Sequence, residues 1–212
     1  MTIYFPALLN IDYKKVVIVG GGLVARQKLN ALLPTKAEII VVSPEVHESI
    51  LPLFEEPQVK WRQKNFEASD LDDAALIFAV TNSEEVNNAV EEATQHWQLL
   101  SRADALGRVD FINPAVVRRG DLVLSVSTSG ASPGLTRKIK ADLEQQFDES
   151  YASYIDFLQQ AREQIKRTFT NRTQRTAALQ AMLDPRIFDW IRAEEQTKCE
   201  QFLQQLLDKE DL

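Results

Sequence analysis

Residues 16–25 decide the fold, and they read Val16-Val17-Ile18-Val19-Gly20-Gly21-Gly22-Leu23-Val24-Ala25. The apolar β-branched run predicts a buried strand, the three glycines interrupt it, and a further apolar run continues as a helix. Glycine permits a tight turn and lets a ligand approach the backbone, while the free N–H groups at the start of the helix attract negative charge. The stretch therefore predicts a site that binds a pyrophosphate.

The spacing of Gly20, Gly22 and Ala25 fits the dinucleotide fingerprint in its variant with a final alanine. The motif alone is common, but its place between a strand and a helix favours a dinucleotide site over a glycine-rich turn without a ligand. The acid that usually binds the ribose about 20 residues later is replaced here by Ser43-Pro44-Glu45. Ser43 is placed to bond a ribose or 2′-phosphate oxygen. Because no basic residue adjoins it, the sequence favours NAD and leaves NADP open.

Strand and helix patterns alternate through the first half of the chain. Apolar or β-branched runs predict five strands, at residues 15–19, 37–42, 59–63, 76–80 and 98–103. Capping residues and apolar spacing predict helices over residues 22–33, from Ser43-Pro44 onward, and over residues 83–96. This order predicts an α/β fold with an N-terminal Rossmann-type parallel sheet, which occupies residues 1–112.

The pattern changes near Asp110. Residues 113–146 predict a small β-rich connector, with antiparallel strands joined at Gly120-Asp121 and a helix that starts at Ser132-Pro133. Residues 147–212 predict a C-terminal helical domain, with helices over about residues 151–183 and 185–207.

The composition indicates an ordinary globular protein. The 212 residues are 44% hydrophobic and 26% charged, and the net charge of −7 argues against general nucleic-acid binding. The single cysteine, Cys199, permits no internal disulfide, and neither His47 nor His96 has a partner at metal-ligand spacing. No window approaches the roughly 18 apolar residues that a membrane span needs. We expect a cytoplasmic protein without a metal site, a membrane partner or a nucleic-acid partner.

Candidate functional residues follow the predicted strands, because ligands of such sheets bind at the carboxyl edge. Thr81 and Asn82 follow the fourth strand, where Thr81 either contacts the cofactor or caps the next helix. Asp104 follows the fifth strand between two alanines. Its carboxylate is either partly desolvated and acts as a base, or lies in a solvated loop.

A second group of candidates lies in the connector. Its serines have no evident histidine base, so they are interpreted as ligand contacts rather than nucleophiles: Ser125, Ser127, Ser129 and Ser132. Basic residues flank this loop and suit a polycarboxylate, with a solvated helix face as the alternative: Arg118, Arg119, Arg137, Lys138 and Lys140.

Several further motifs occur along the chain: Phe5-Pro6-x-x-x-Asn10, Val19-Gly20-Gly21-Gly22-x-Val24-Ala25-x-x-Lys28, Asn113-Pro114-Ala115, Arg119-Gly120-Asp121-Leu122 and Ser125-Val126-Ser127-Thr128-Ser129-Gly130-Ala131-Ser132-Pro133. Together they resemble the precorrin-2 dehydrogenases of siroheme biosynthesis, including the dehydrogenase–chelatase part of siroheme synthases. They occur in order over about residues 3–145, and their joint occurrence is far more specific than a glycine motif. One departure is Ser101-Arg102-Ala103, where many relatives have Asn-Val-Val-like residues.

The resemblance implies NAD-dependent oxidation of precorrin-2 to sirohydrochlorin by a homodimer, with the central β segment and the following helices forming the dimer. It places the family's important aspartate at Asp104 and the tetrapyrrole beside the serine loop, with Arg119 at the flank of that loop. The cofactor positions of the family fall on Gly22, Leu23, Val24, Ser43, Pro44 and Thr81, to which the fingerprint adds Gly20. Precorrin-2 carries eight carboxylates, which the basic residues around the loop suit.

Two alternatives remain open at the level of the sequence. One is a bifunctional enzyme that also inserts ferrous iron into sirohydrochlorin, since chelation could reuse the same aspartate. The other is a non-catalytic NAD-sensing module whose helical half binds a partner. Because the 212 residues hold no methyltransferase domain, we do not expect the trifunctional enzyme.

Overall fold

The computed structural model describes residues 3–104 and 107–208 and divides the chain into two compact units that meet at Asn113 and Pro114. The N-terminal unit comprises β1 (Lys15–Val19), α1 (Leu23–Leu32), β2 (Glu38–Val42), a 3₁₀ segment (Glu48–Glu55), β3 (Val59–Arg62), a second 3₁₀ segment (Ala68–Leu71), β4 (Ala74–Ala79), α2 (Glu84–Ala93) and β5 (Leu99–Arg102). The C-terminal unit comprises β6 (Ala115–Arg119), β7 (Leu122–Val126), α3 (Pro133–Gln146), α4 (Ser150–Thr168), α5 (Arg172–Ala181), α6 (Pro185–Arg192) and α7 (Gln196–Leu207).

The N-terminal unit is built on a parallel sheet with the strand order β3-β2-β1-β4-β5. The chain moves outward from β1 to β3 on one side and then crosses to β4 on the other. The carboxyl ends of β1 and β4 therefore flank the point where the strand order reverses, which is where ligands of open α/β sheets bind. The predicted Rossmann-type parallel sheet is confirmed.

The central strands are apolar along their whole length because both faces of the sheet are covered. Val16 and Ile18 of β1 belong to one core cluster, together with Leu29 of α1. Val17 and Val19 point to the opposite face and belong to a second cluster. A strand buried on both faces has no polar alternation, which explains the continuous run that opens the motif.

The helix predicted to start at Ser43-Pro44 is wrong. This stretch is a loop, and the next helical residues form the 3₁₀ segment that begins at Glu48, with His47 as its N-cap. The Ser43 hydroxyl donates to the carbonyl of Glu45 at 2.6 Å, so it turns the chain instead of capping a helix. The N–H of His47 donates to the carbonyl of Gly21 at 2.7 Å, which fastens the loop to the glycine turn.

The C-terminal unit begins with an antiparallel strand pair, as predicted, and β6 and β7 turn at Gly120 and Asp121. The helix predicted after Ser132-Pro133 is also confirmed, because the Ser132 hydroxyl accepts from the N–H of Leu135 and caps α3.

The two long C-terminal helical stretches are each divided in the structure. The side chain of Asn171 accepts from the N–H groups of Thr173 and Gln174, and this cap starts α5 three residues after α4 ends. Glu194 has a φ of +58°, a left-handed conformation that separates α6 from α7. Neither break contains a glycine or a proline, the residues that mark helix ends most clearly.

The helices α4 to α7 share one core of apolar side chains, with Ile165 and Ile187 fully buried in it. Within the described residues, no helix is both long and apolar enough to cross a membrane. The further division of the C-terminal half into a connector over residues 113–146 and a helical domain over residues 147–212 stays a prediction.

Candidate cofactor and substrate site

The three glycines at the carboxyl end of β1 meet different surroundings. Gly20 has a φ of +124°, and a Cβ there would lie 2.8 Å from the carbonyl oxygen of Val80. A Cβ on Gly21 would collide with the carbonyl oxygen of Glu45. At Gly22, the N-cap of α1, a Cβ would meet no described atom within 4 Å. The first two glycines allow close backbone packing, whereas the third leaves open space in front of the helix.

A cavity of about 610 Å³ opens at this edge of the sheet, bounded by the glycine turn and by the loops that follow β2, β3 and β4. Five of the seven predicted cofactor residues line it: Gly20, Gly22, Ser43, Pro44 and Thr81. The other two, Leu23 and Val24, lie in the exposed first turn of α1, outside the cavity lining. The wall also contains residues that were not predicted, among them Asn65, Phe66, Glu85, Val86 and Ala89.

The cavity fits a dinucleotide without a 2′-phosphate. In the described part of the chain no side chain caps α1, so the N–H groups of its first turn remain for a pyrophosphate. Among the described residues, no lysine or arginine lines the cavity, whereas Glu45 and Glu85 do. A 2′-phosphate would meet carboxylates there without a basic partner, which favours NAD over NADP.

Ser43 and Thr81 both make bonds within the protein. The Ser43 hydroxyl donates a hydrogen bond to the backbone carbonyl of Glu45, which leaves the hydroxyl oxygen available to a ligand as an acceptor. The hydroxyl of Thr81 lies 2.8 Å from Oδ1 of Asn87. The helix cap that was the alternative role of Thr81 is supplied by Ser83, whose hydroxyl accepts from the N–H of Val86 at the start of α2.

Asp104 follows β5 and lies in a network of side-chain hydrogen bonds. Nε of Arg102 donates to Oδ1 of Asp104 at 3.0 Å, and a terminal nitrogen of Arg102 donates to Oδ2 at 2.8 Å. Nδ2 of Asn87 also donates to Oδ2, at 2.9 Å. The hydrogen bonds to Asp104, and then those to Glu91, raise the pKa of Arg102, although burial acts in the opposite direction. Asp104 is therefore ion-paired rather than a solvated loop aspartate.

The predicted substrate residues belong to the C-terminal unit. Ser125, Ser127 and Ser129 are exposed, and Ser127 Oγ accepts from the N–H of Ser129 at 3.0 Å. The guanidinium of Arg119 donates to the carbonyl of Arg118 and lies 3.2 Å from a carboxylate oxygen of Glu149. The role of these residues, including Ser132 at the cap of α3, stays a prediction.

Some of the cavity residues that were not predicted could have been located from the sequence. Asn65 and Phe66 follow β3, and the rule that locates ligands at the carboxyl ends of strands applies to β3 as it does to its neighbours. Asn87 and Arg102 gave no sequence signal, because their connection to Asp104 depends on how α2 packs beside β5.

Two of the motifs quoted above come into contact in the structure. Nζ of Lys28, from the glycine motif, donates to Oδ1 of Asn113 in the Asn-Pro-Ala motif at 3.1 Å. The same ammonium lies 5.4 Å from the ring centroid of Phe78 in β4. Burial lowers the pKa of Lys28. The two motifs therefore share a structural role at the end of the N-terminal unit.

Comparison with known proteins agrees with this geometry. A family model described as putative NAD(P)-binding matches residues 7–115, and one described as sirohaem biosynthesis protein, central, matches residues 119–146. A precorrin-2 dehydrogenase of Priestia megaterium is 32% identical over 180 residues, which cover 85% of this chain and 89% of the relative. That of Bacillus subtilis (strain 168) is 32% identical and covers 74% of this chain and 97% of the relative.

Longer relatives and a solved structure also match. A siroheme synthase of Nitrosococcus oceani is 30% identical over 97% of this chain, which corresponds to 44% of that protein. The solved structure of SirC, a precorrin-2 dehydrogenase, has a TM-score of 0.81 and 32% identity, and the match covers 97% of this chain and all of the other.

The fold and the cavity define a nicotinamide-dinucleotide-binding α/β protein with NAD as its cofactor. The relatives define its family within this class, because two precorrin-2 dehydrogenases match at 32% identity over 89% and 97% of their own length. The chain belongs to the precorrin-2 dehydrogenase family, as the resemblance in its motifs implies.

Proposed function

We propose that this protein oxidises precorrin-2 to sirohydrochlorin with NAD, in the synthesis of siroheme. The observation that carries the proposal is the cavity at the carboxyl edge of β1, β2 and β4, which fits NAD. Asn87 connects this cavity to Asp104, because it bonds both Thr81 in the cavity wall and the Asp104 carboxylate. The family supplies the substrate. An NAD-sensing module without catalysis is not favoured, because the relatives that match over most of their own length are named as dehydrogenases.

The oxidation removes two electrons and two hydrogens from the macrocycle. One C–H bond breaks and its hydrogen leaves as hydride, while a second hydrogen leaves as a proton. Bound NAD supplies the hydride acceptor and becomes NADH. The first turn of α1 binds the pyrophosphate, and Ser43 and Thr81 contact the remainder of the dinucleotide. Asp104 accepts the proton or orients the ring.

The substrate loop forms the second part of the proposal. Ser125, Ser127, Ser129 and Ser132 contact the tetrapyrrole, and Arg119 pairs with one of its carboxylates in exchange for Glu149. Exposure of the first three hydroxyls supports this assignment, and so does the suitability of guanidinium for carboxylates. The protein acts in the cytoplasm, in keeping with a lone and buried cysteine.

The protein also acts as a homodimer through its C-terminal unit. Every residue of α3 is at least partly exposed in the single chain, and Leu135 is 49% exposed. Val116 of β6 is 39% exposed. Leu135 lies in the segment matched by the sirohaem central family model and Val116 lies just before it, and apolar surface of this kind supports an interface between two copies.

The function is tested by anaerobic incubation of the protein with precorrin-2 and NAD, followed by absorbance, with and without ferrous iron. We expect NADH and sirohydrochlorin to form in equal amounts without iron. Absence of NADH formation would contradict the proposal. Iron insertion is not favoured, since the two relatives that match over most of their own length bear the dehydrogenase name. Faster loss of sirohydrochlorin with iron than in a protein-free control would show that the protein inserts iron.

The role of Asp104 is tested separately. Asp104→Ala is expected to lower turnover of precorrin-2 by about 10²-fold, the scale of a group that acts on the reacting centre, and to leave NAD affinity near normal. Asp189→Ala, at an exposed position of α6, is the control. Unchanged turnover in Asp104→Ala would remove Asp104 from the mechanism.

A further inference from the structure

Among the side chains that bind Asp104 are those of Arg102 and Asn87, which lie outside the motifs quoted above. We propose that Arg102 and Asn87 are positioning residues that fix the Asp104 carboxylate relative to the wall of the cofactor cavity. The inference rests on the proposed function, in which Asp104 acts on the macrocycle. It assigns a role to Arg102, which lies two residues before Asp104 at the end of β5.

Arg102 supplies the first connection. Its side chain is 2% exposed, and its guanidinium binds both oxygens of Asp104 in a bidentate pair, at 3.0 and 2.8 Å. The remaining terminal nitrogen donates to Asn88 Oδ1 at 2.9 Å and to Glu91 Oε2 at 2.5 Å. Both of these acceptors are on α2. The guanidinium is thus fastened to the helix on one side and to the carboxylate on the other.

Asn87 supplies the second connection. It is 1% exposed, and its Nδ2 donates to Asp104 at 2.9 Å and to the carbonyl of Thr81 at 3.2 Å. Its Oδ1 accepts from the N–H of Thr81 at 3.3 Å and lies 2.8 Å from the Thr81 hydroxyl. Thr81 lines the cofactor cavity. One buried amide therefore joins the cavity wall directly to Asp104.

The carboxylate remains accessible despite these bonds. The Asp104 side chain is 21% exposed, so a substrate can reach it. Three donors from Arg102 and Asn87 bind its two oxygens and stabilise the negative charge in one orientation. Such a carboxylate presents a fixed negative charge to the macrocycle, and it suits orientation of the ring better than removal of a proton.

The test compares the Arg102–Asp104 pair with a second arginine–aspartate pair, Arg108 and Asp110, that lies nearby in the sequence. Arg108 and Asp110 repeat the spacing of Arg102 and Asp104, and Nε of Arg108 donates to Asp110 Oδ1 at 2.9 Å. Arg102→Lys keeps the charge but loses the bidentate geometry, and it is expected to lower kcat by about 10- to 100-fold through misplacement of Asp104. NAD affinity should change little. Arg108→Lys should leave kcat near the value of the unmodified protein; equal kcat values in the two variants would overturn the proposal.

A double variant separates positioning from a merely structural role. In an Asp104→Ala background, adding Arg102→Lys is expected to cause no further loss of kcat, because Arg102 acts through Asp104. Losses that multiply would overturn the inference. If Arg102→Lys fails to fold by circular dichroism, Arg102→Gln, which also loses the bidentate geometry, replaces it in both comparisons with the same expected outcomes.

A spectroscopic readout does not depend on turnover. In ¹⁵N NMR of the full chain, the Nε–H signal of Arg102 should be protected from solvent exchange and should lose this protection in Asp104→Ala. The Nε–H signal of Arg108 serves as the internal reference and should stay unchanged. Protection of Arg102 that survives removal of Asp104 would contradict the pairing. If the unmodified protein does not oxidise precorrin-2, the proposed function fails, and this NMR comparison still decides whether the pairing exists.

Discussion

Gly20, Gly21 and Gly22 are adjacent, but each is required for a different reason. Gly20 needs its positive φ and its contact with Val80, and Gly21 has no room for a side chain beside Glu45. Substitution at either position would disturb the backbone itself. Gly22 has open space in the described part of the chain and an ordinary φ of −89°. Gly22 is therefore the position at which cofactor binding can be tested without disturbing the fold.

Gly22→Asp is predicted to abolish tight NAD binding while the protein stays folded. The new carboxylate would occupy the space where the pyrophosphate approaches α1, and repulsion of about 3 kcal/mol corresponds to a Kd about 100-fold weaker. The thermal midpoint should remain close to that of the unmodified protein. Titration with NADH fluorescence and a thermal melt measure the two quantities.

Gly134→Asp is the matched control for this prediction. Gly134 lies in the first turn of α3, and a Cβ there also meets no described atom within 4 Å. An acid near a helix N-terminus is well tolerated, so both NAD affinity and stability should be retained. If Gly22→Asp bound NAD as tightly as Gly134→Asp, the glycine turn would not be the pyrophosphate site.

At the scale of elements, the sequence predicts the strands well and some loops poorly. The first strand is predicted at residues 15–19 and observed there, because a run buried on both faces leaves no other pattern. Ser43-Pro44 is misassigned because a serine hydroxyl can bond a carbonyl two residues later as readily as it caps a helix. The loop conformation is selected by a tertiary contact, the hydrogen bond from the N–H of His47 to the carbonyl of Gly21 in the glycine turn.

The sequence likewise predicts some residues of the candidate site and misses others. Gly20, Gly22 and Thr81 could be located from the order of strands and turns, since the carboxyl edge of a parallel sheet collects them. The partners of Asp104 could not, because Asn87 is 17 residues away on a helix whose rotation the sequence does not define. Local patterns thus predict where a ligand binds better than they predict how the side chains around it are fixed.

The second 3₁₀ segment offers a prediction about pH. Asp70 is 1% exposed and lies 2.8 Å from Arg62 and 3.2 Å from Lys64. Burial alone would raise the pKa of Asp70, but the hydrogen bonds from Arg62, from the N–H of Glu67 and from Lys64 outweigh it and lower that pKa. A carboxyl group whose pKa is lower in the folded state stabilises the fold above its unfolded pKa.

Asp70→Asn is therefore predicted to lower the free energy of unfolding at pH 7 by about 2 kcal/mol, the scale of hydrogen bonds to a charged group. The difference from the unmodified protein should shrink as the pH falls below about 4, the pKa of an aspartate in the unfolded chain, and should be lost as the pH falls through the lower pKa of folded Asp70. Urea denaturation at several pH values measures it. Asp189→Asn, at an exposed position, is the control, and a difference for Asp70→Asn that does not shrink below about pH 4 would contradict the assignment.

At the scale of the whole molecule, the two units carry different parts of the proposed function. The N-terminal unit holds the NAD cavity and Asp104, and its cores lie on the two faces of the sheet. The C-terminal unit holds the serine loop and buries a separate core among α4 to α7. Its strands and α3 contribute little to that core, and they expose Val116 and Leu135. This apolar surface has a use if two chains associate through it.

Val116→Glu is predicted to convert the proposed homodimer into monomers. A charge placed in the centre of an apolar interface is buried without a partner, which weakens association strongly. Light scattering after size-exclusion chromatography should give twice the mass of one chain for the unmodified protein and one chain mass for the variant. Leu183→Glu is the control, since Leu183 is 54% exposed but lies in the turn between α5 and α6; it should leave the dimer intact. A monomeric unmodified protein, or a variant that remains dimeric, would show that this surface does not join two chains.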